Sequence, residues 1–162
     1  MLTCIADMRP CISTVCQRKT YWGIFMINEK EHISHLIRTF IEEIIHPYRE
    51  LNVQMSEQWM QAGRDDFDYN GVIHGLLHLK KAAEELARDS DKTDVQPEQQ
   101  ALFNKCVTLF ITAVEQQIQT LRTLGYQAAQ TIGAAAQEQD QSQRYLASMS
   151  KNLTALKQSL KK

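Results

Sequence analysis

Two histidines stand one helical turn apart in the segment His74-Gly-Leu-Leu-His78. Side chains four positions apart lie on the same face of an α-helix, so both imidazoles are close enough to bind one metal ion. A second fragment, Glu43-Ile-Ile-His46, sets a carboxylate three positions before an imidazole and again brings both groups to one face. These spacings indicate a metal site, with iron or zinc as the cofactor and His46, His74 and His78 as ligands.

The Glu-x-x-His fragment is also the ligand spacing found in di-iron carboxylate bundles. A helical bundle that carries these fragments resembles the hemerythrin-like and ferritin-like proteins. The resemblance implies a four-helix fold in which inward-facing histidines and carboxylates bind iron and handle oxygen. It covers two short fragments of the chain, one at Glu43 and His46 and the other at His74 and His78.

Helical geometry favours a different position for these histidines. At about 100° per residue, His46 lies on the side of its helix opposite Ile37, and His74 lies opposite Leu76. His78 shares the polar face of His74. The second half of the chain contains no histidine, although a di-iron centre takes ligands from all four helices. We therefore expect the histidines on solvated faces and treat metal binding as the alternative function.

Other catalytic arrangements are missing from the sequence. Cys4, Cys11 and Cys16 have spacings that do not match a zinc knuckle with a second ligand pair, and Cys106 falls on an apolar helix face. There is no glycine-rich phosphate loop and no nucleophile elbow. The expectation is a protein that is not an enzyme and has no catalytic residue.

Composition narrows the class of protein further. The 162 residues include 18 basic and 19 acidic side chains, with a formal net charge of −1, so no basic stripe is available for nucleic acid. No apolar run approaches the roughly 20 residues that a membrane-spanning helix needs. Asp7, Arg9 and Pro10 interrupt any secretory signal. We expect a cytoplasmic protein with reduced thiols, no nucleic-acid partner and no membrane partner.

Four helices must position these residues. Six glycines and three prolines are few for this length, which favours helix over strand. Apolar periodicity predicts an all-α antiparallel four-helix bundle over residues 27–162, with the first helix kinked at Pro47. The predicted helices run over Asn28 to about Gln61, about Tyr69 to Arg88, about Pro97 to Leu124, and about Ala128 to the C-terminus.

The first 26 residues differ from the rest of the chain. They show no sustained period and hold three of the four cysteines, so an irregular or disordered segment is expected. Trp22 and Gly23 require the codons TGG and GGN, which place a purine-rich block shortly before the Met26 codon. Because such a block resembles a bacterial ribosome-binding site, we hypothesise a bacterial gene whose translation starts at Met26.

The last predicted helix carries a heptad seam of the coiled-coil type, with apolar residues at alternating spacings of four and three. Twelve glutamines between Gln96 and Gln143 make the surrounding surface neutral and polar, which suits contact between helices. If the seam is longer than its internal partners, it would bind a second copy or another helical protein. This protein–protein interaction, with self-association first, is the leading functional expectation. The residues expected to carry it are Leu146, Met149, Leu153 and Leu156.

Two other interpretations stay open. The seam is equally well explained as part of the internal core, covered by the first and third helices. A third function is the binding of a small ligand, in a pocket near Tyr48, Trp59 and Phe67 beside the Pro47 kink. Aromatic residues at such a position also serve as plain core.

Overall fold

The polypeptide is described by a computed structural model over residues 30–64, 66–126 and 132–161. Within these ranges it forms four helices and contains no strand, which confirms the all-α prediction, and the helix contacts are consistent with a bundle. Helix α1 is α-helical over residues 30–39, π-helical over Phe40–Ile45 and α-helical again over His46–Ala62. The others are α2 at Tyr69–Ser90, α3 at Pro97–Tyr126 and α4 at Ile132–Ser159.

Several sequence-based predictions fall outside the described residues. They include the N-terminal segment 1–26 and the beginnings of the first and last predicted helices, at Asn28 and Ala128. Within the described part of the chain, no helix is long and apolar enough to cross a membrane.

Helix α1 continues through Pro47 without a break. The helical geometry changes just ahead of it, where the His46 N–H bonds to the Ile41 carbonyl five residues earlier. Proline has no N–H to donate, so the turn before it cannot keep its regular bonding. The wider π turn brings Phe40, Ile44 and Ile45 to one side, and all three are buried. The irregular turn therefore points more apolar surface inward than a regular α-helix would.

Aromatic rings connect α1 to α3 at the centre of the core. The Phe40 ring meets Phe103 at a centroid distance of 6.0 Å and Phe110 at 5.8 Å, both edge-to-face. Tyr48 meets Phe110 in the same way at 5.3 Å. Edge-to-face aromatic pairs stabilise the core through the interaction of their ring quadrupoles, in addition to the burial of their apolar surface. On α2, one apolar face packs into the core, with Val72, Leu76, Leu79 and Ala83 buried and Leu86 partly buried.

Short turns determine how the helices follow one another. Gly63 ends α1 with a φ of +70°, a conformation that side chains other than glycine's rarely adopt, and its N–H bonds to the Trp59 carbonyl at 3.1 Å. Asp68 then caps α2, because its Oδ1 accepts a hydrogen bond from the Gly71 N–H at 2.9 Å. The turn thus brings Phe67, just before this cap, back against the end of α1.

Removing the cap is expected to lower the free energy of unfolding by about 1 kcal/mol. In Asp68→Ala the Gly71 N–H loses its only side-chain acceptor among the described residues. Urea denaturation followed by circular dichroism measures the loss. Asp66→Ala is the matched control, since Asp66 is also exposed and makes no described cap bond. Equal losses for both variants would contradict a capping role for Asp68.

Cys106 is buried between α3 and α4, where its thiol contacts the Met149 carbonyl at an Sγ–O distance of 3.8 Å. Burial raises the pKa of this thiol from 9.0 to about 11. Between these two pKa values, the Cys106 thiol is therefore protonated in the folded protein and mostly ionised in the unfolded chain. The contribution of the protonated Cys106 thiol to the free energy of unfolding is fully present below about pH 9. It falls as the pH rises towards the folded pKa.

The free energy of unfolding of the wild type should accordingly fall more steeply between about pH 8 and pH 10 than that of Cys106→Ala. The expected difference is roughly 1.3 kcal/mol, since about one pH unit separates the unfolded pKa from pH 10. Denaturant unfolding at the two pH values measures it. The other cysteines and Tyr48 are common to both proteins, so their titration cancels. Parallel pH profiles would show that the thiol is not desolvated in the folded state.

Candidate functional site

The predicted metal ligands lie on the surface. His46 on α1 and His74 and His78 on α2 are all exposed. In the described residues, no three His, Cys, Asp or Glu side chains lie close enough together to hold a metal ion. A metal on His74 and His78 would therefore need further ligands from solvent or from another molecule. Binding of iron or zinc stays a prediction.

The predicted interaction seam lies against the rest of the bundle. Met149 and Leu156 are 5% and 0% exposed, and Leu146 and Leu153 are partly buried against the same core. The Ser142 hydroxyl, in the same helix, donates to the Ala113 carbonyl of α3 at 2.8 Å. The buried pair is therefore already covered within one chain. Use of the seam by a partner stays a prediction, and it would rest on Leu146 and Leu153.

A groove opens to solvent beside Trp59, between the C-terminal half of α1 and the C-terminal half of α3. We call it the Trp59 groove; its volume is about 450 Å³. Phe67 from the turn before α2 and Gln139 from α4 complete its described lining. The described lining residues are Met55, Ser56, Trp59, Met60, Phe67, Gln117, Thr120, Leu121, Leu124 and Gln139.

An aromatic cluster forms one wall of the Trp59 groove. The Trp59 ring lies 5.3 Å from Phe67 and 6.2 Å from Tyr69, and Phe67 and Tyr69 are 4.8 Å apart, measured between centroids. All three contacts are edge-to-face, the geometry that aromatic quadrupoles favour. A Cβ on Gly125 would lie 3.2 Å from the Tyr69 ring, so glycine there lets the cluster pack close to α3.

The rim of the groove exposes large apolar side chains. Trp59 is 37% exposed and Met60 is 78% exposed, whereas Leu121 on the opposite wall is 5% exposed. Val53 lies seven positions before Met60, two helical turns along the same side of α1, and is 58% exposed. Exposed apolar side chains that lie together are costly to leave in water and are typical of binding surfaces.

A largely buried hydrogen-bond network lies behind the groove and reaches it through Gln117. The Tyr48 hydroxyl donates to Gln117 Oε1 at 2.8 Å, and Gln117 Nε2 donates to Asn52 Oδ1 at 2.7 Å. Asn52 Nδ2 donates in turn to the backbone carbonyl of Tyr48 at 2.8 Å. Burial raises the pKa of the Tyr48 phenol above its ordinary value, so the hydroxyl stays protonated and able to donate over a wider pH range. The network holds Gln117 in a fixed position inside an apolar surrounding.

Sequence reasoning placed a ligand pocket near Tyr48, Trp59 and Phe67. In the structure Trp59 and Phe67 line the groove, while Tyr48 lies behind it and reaches it through Gln117. Gln117 was recognisable as a polar residue at a core position of the third helix. Its pairing with Tyr48 and Asn52 joins residues 69 and 65 positions apart, which periodicity along a single helix does not reveal.

The described lining of the Trp59 groove is uncharged. None of the described lining residues carries an ionisable side chain, so they supply no general acid, general base or charged nucleophile. No family model matches the chain, and neither curated proteins nor solved structures give a significant match. The function must therefore be inferred from the chemistry of this chain's own residues.

Proposed function

We propose that this protein is a non-enzymatic helical bundle that binds a small, uncharged, mainly apolar molecule in the Trp59 groove. The observation that carries the proposal is the groove itself: about 450 Å³, open to solvent, and lined by apolar and aromatic side chains with a few amides and hydroxyls. Sites for small molecules have this composition, typically occupy about 300–1,000 Å³ and occur between the helices of bundles.

We also infer that the helices run antiparallel to their neighbours in sequence. Four residue pairings on α2, α3 and α4 support this order. Ala113 contacts Ser142 while Cys106 contacts Met149, so positions rise along α3 as they fall along α4. Between α2 and α3, Lys80 pairs with Glu115 and Ser90 with Asn104. With this arrangement the groove lies at the end of the bundle where α1 ends and α2 begins.

A groove-filling variant tests the proposed function. Ser56 is an exposed lining residue, so Ser56→Trp places an indole in the groove without disturbing the core. We expect it to weaken binding of the neutral fluorescent probe N-phenylnaphthylamine at least about tenfold, because a filled site cannot take the probe. The measurement is fluorescence titration of the probe. Glu57→Trp is the matched control, since Glu57 is exposed, adjacent and outside the described lining.

The two variants distinguish binding of the probe in the groove from nonspecific binding elsewhere on the protein. Probe affinity in Glu57→Trp should equal that of the wild type. If Ser56→Trp and Glu57→Trp bind the probe as the wild type does, the probe is held elsewhere and the proposal is wrong. The same holds if the wild type does not bind the probe.

Self-association is the second proposal, and a specific observation favours it. Val53 and Met60 present an exposed apolar strip along α1, and Leu146 and Leu153 are only partly buried on α4. A second copy of the chain is the partner proposed for these surfaces. The proposal requires an oligomer in native mass spectrometry that dissociates, with its helicity intact, when surface residues of these strips become charged.

A further inference from the structure

We propose that Gln117 selects the ligand of the Trp59 groove, and that this ligand is an uncharged molecule with a carbonyl oxygen. The inference rests on the proposed function, since it names the chemistry of what the groove binds. It depends on one feature, an amide N–H of Gln117 beside the groove whose only partner among the described residues is the Met55 sulfur.

The orientation of the Gln117 amide follows from a backbone group. The carbonyl of Tyr48 can only accept, so the Asn52 atom 2.8 Å from it is the amide nitrogen. Asn52 then turns its oxygen towards Gln117, and the Gln117 atom 2.7 Å away must be Nε2. Oε1 of Gln117 is left to accept from the Tyr48 hydroxyl. The network fixes which end of the amide is the donor.

One donor of this amide has no strong acceptor. Nε2 carries two hydrogens, and the Asn52 oxygen takes one of them. In the described part of the chain, the other meets only Met55 Sδ, at 3.8 Å. A thioether sulfur is a weak acceptor, and Gln117 is 2% exposed, so water satisfies this N–H poorly. An unsatisfied buried donor is costly, and a ligand oxygen would remove that cost.

Met55 can give way to such an oxygen. Met55 and Gln117 both line the groove, and a methionine side chain rearranges easily around its rotatable bonds. A carbonyl oxygen that takes the place of the sulfur would accept from Nε2 while the rest of the molecule packs on the Trp59 wall. A carboxylate would bring a charge among lining residues that offer no cation, which disfavours acids.

Three ligands of the same size test the inference. Acetylnaphthalene, isopropylnaphthalene and naphthoate, substituted at the same ring position, differ only in presenting a ketone, a hydrocarbon or an anion. Equilibrium dialysis against the full-length protein gives the three affinities. For each protein we compare the affinity for the ketone with the affinity for the hydrocarbon. The two molecules differ in how readily they leave water, but this difference is the same for every variant, so it cancels when the ratios of two variants are compared.

We expect this ratio to fall about tenfold in Gln117→Met, which keeps the length of the side chain and removes the amide. Gln119→Met is the matched control: it makes the same change at an exposed position of α3 outside the described lining and should keep the ratio. In the wild type, one of the two Gln117 Nε2 protons should shift downfield in the NMR spectrum with the ketone and not with the hydrocarbon. If Gln117→Met does not fold, this shift in the wild type still tests whether the Gln117 amide donates to the ketone.

The outcomes separate the inference from the proposed function. If ketone and hydrocarbon both bind, but the ratio is the same in Gln117→Met and the Nε2 protons do not distinguish them, the inference is wrong and the groove remains a binding site. If naphthoate binds most tightly, the uncharged class of ligand is wrong. If none of the three binds the wild type, the proposed function fails together with the inference.

Discussion

Phe40→Ala is expected to lower the free energy of unfolding by about 4 kcal/mol, a large part of the roughly 5–15 kcal/mol that stabilises a typical domain. Phe40 is fully buried, and its ring contacts both Phe103 and Phe110 edge-to-face. Truncation leaves a cavity between α1 and α3 and removes both ring contacts. It also removes the largest apolar group of the π-helical turn. Urea denaturation followed by circular dichroism measures the loss.

Two further variants show whether the effect comes from the core. Phe40→Leu keeps most of the buried volume and should cost clearly less, about 1–2 kcal/mol. Val53→Ala removes apolar atoms from a residue that is 58% exposed and should change stability by less than about 0.5 kcal/mol. A small loss for Phe40→Ala, similar to that of Val53→Ala, would mean that Phe40 does not pack between α1 and α3.

The helices were predictable because their signals are local. A run of apolar residues at spacings of three and four marks a helix, and Asp68 and Pro97 mark where two of the helices begin. Each helix was predicted with ends within a few residues of those observed, where the ends are described. The buried apolar residues of α2 follow the same spacings, since burial on one face of a helix follows directly from its period.

The π-helical turn could not be read from the same period. Analysis at 100° per residue assumes a regular α-helix, so it does not anticipate where the wider turn places Phe40, Ile44 and Ile45. Pro47 was recognised as a source of irregularity. Whether that irregularity becomes a kink, a break or a wider turn depends on how α1 packs against α3, and packing between helices is not a local property.

The groove was predictable only in part. Trp59 and Phe67 are aromatic residues close together in sequence across a turn, so their proximity could be anticipated. The opposite wall comes from Leu121 and Leu124, which α3 brings in from far along the chain. Likewise, Gln117 stood out as polar within an apolar stripe, but its hydrogen-bond partners on α1 appear only once the helices are assembled.

Met149→Asp is expected to unfold the bundle, because it places a carboxylate at a position in the apolar core that is only 5% exposed. Met149 is covered within a single chain, and its carbonyl is in contact with the buried Cys106 thiol. An unpaired charge at such a site should cost at least about 4 kcal/mol. Met149→Leu conserves volume and should cost less than about 1.5 kcal/mol. Lys151→Asp makes a charge change on the exposed face of the same helix and should leave stability nearly unchanged.

This variant also decides what the heptad seam of α4 does. If the seam is an interface between copies, Met149→Asp should remain helical and cooperative while native mass spectrometry shows the loss of an oligomer. If it is core, helicity and cooperativity are lost together. The burial of Met149 and Leu156 within one chain favours the second result. Any self-association would then have to use the partly buried Leu146 and Leu153 or the exposed strip at Val53 and Met60, and the seam would act by keeping α4 in place beside the Trp59 groove.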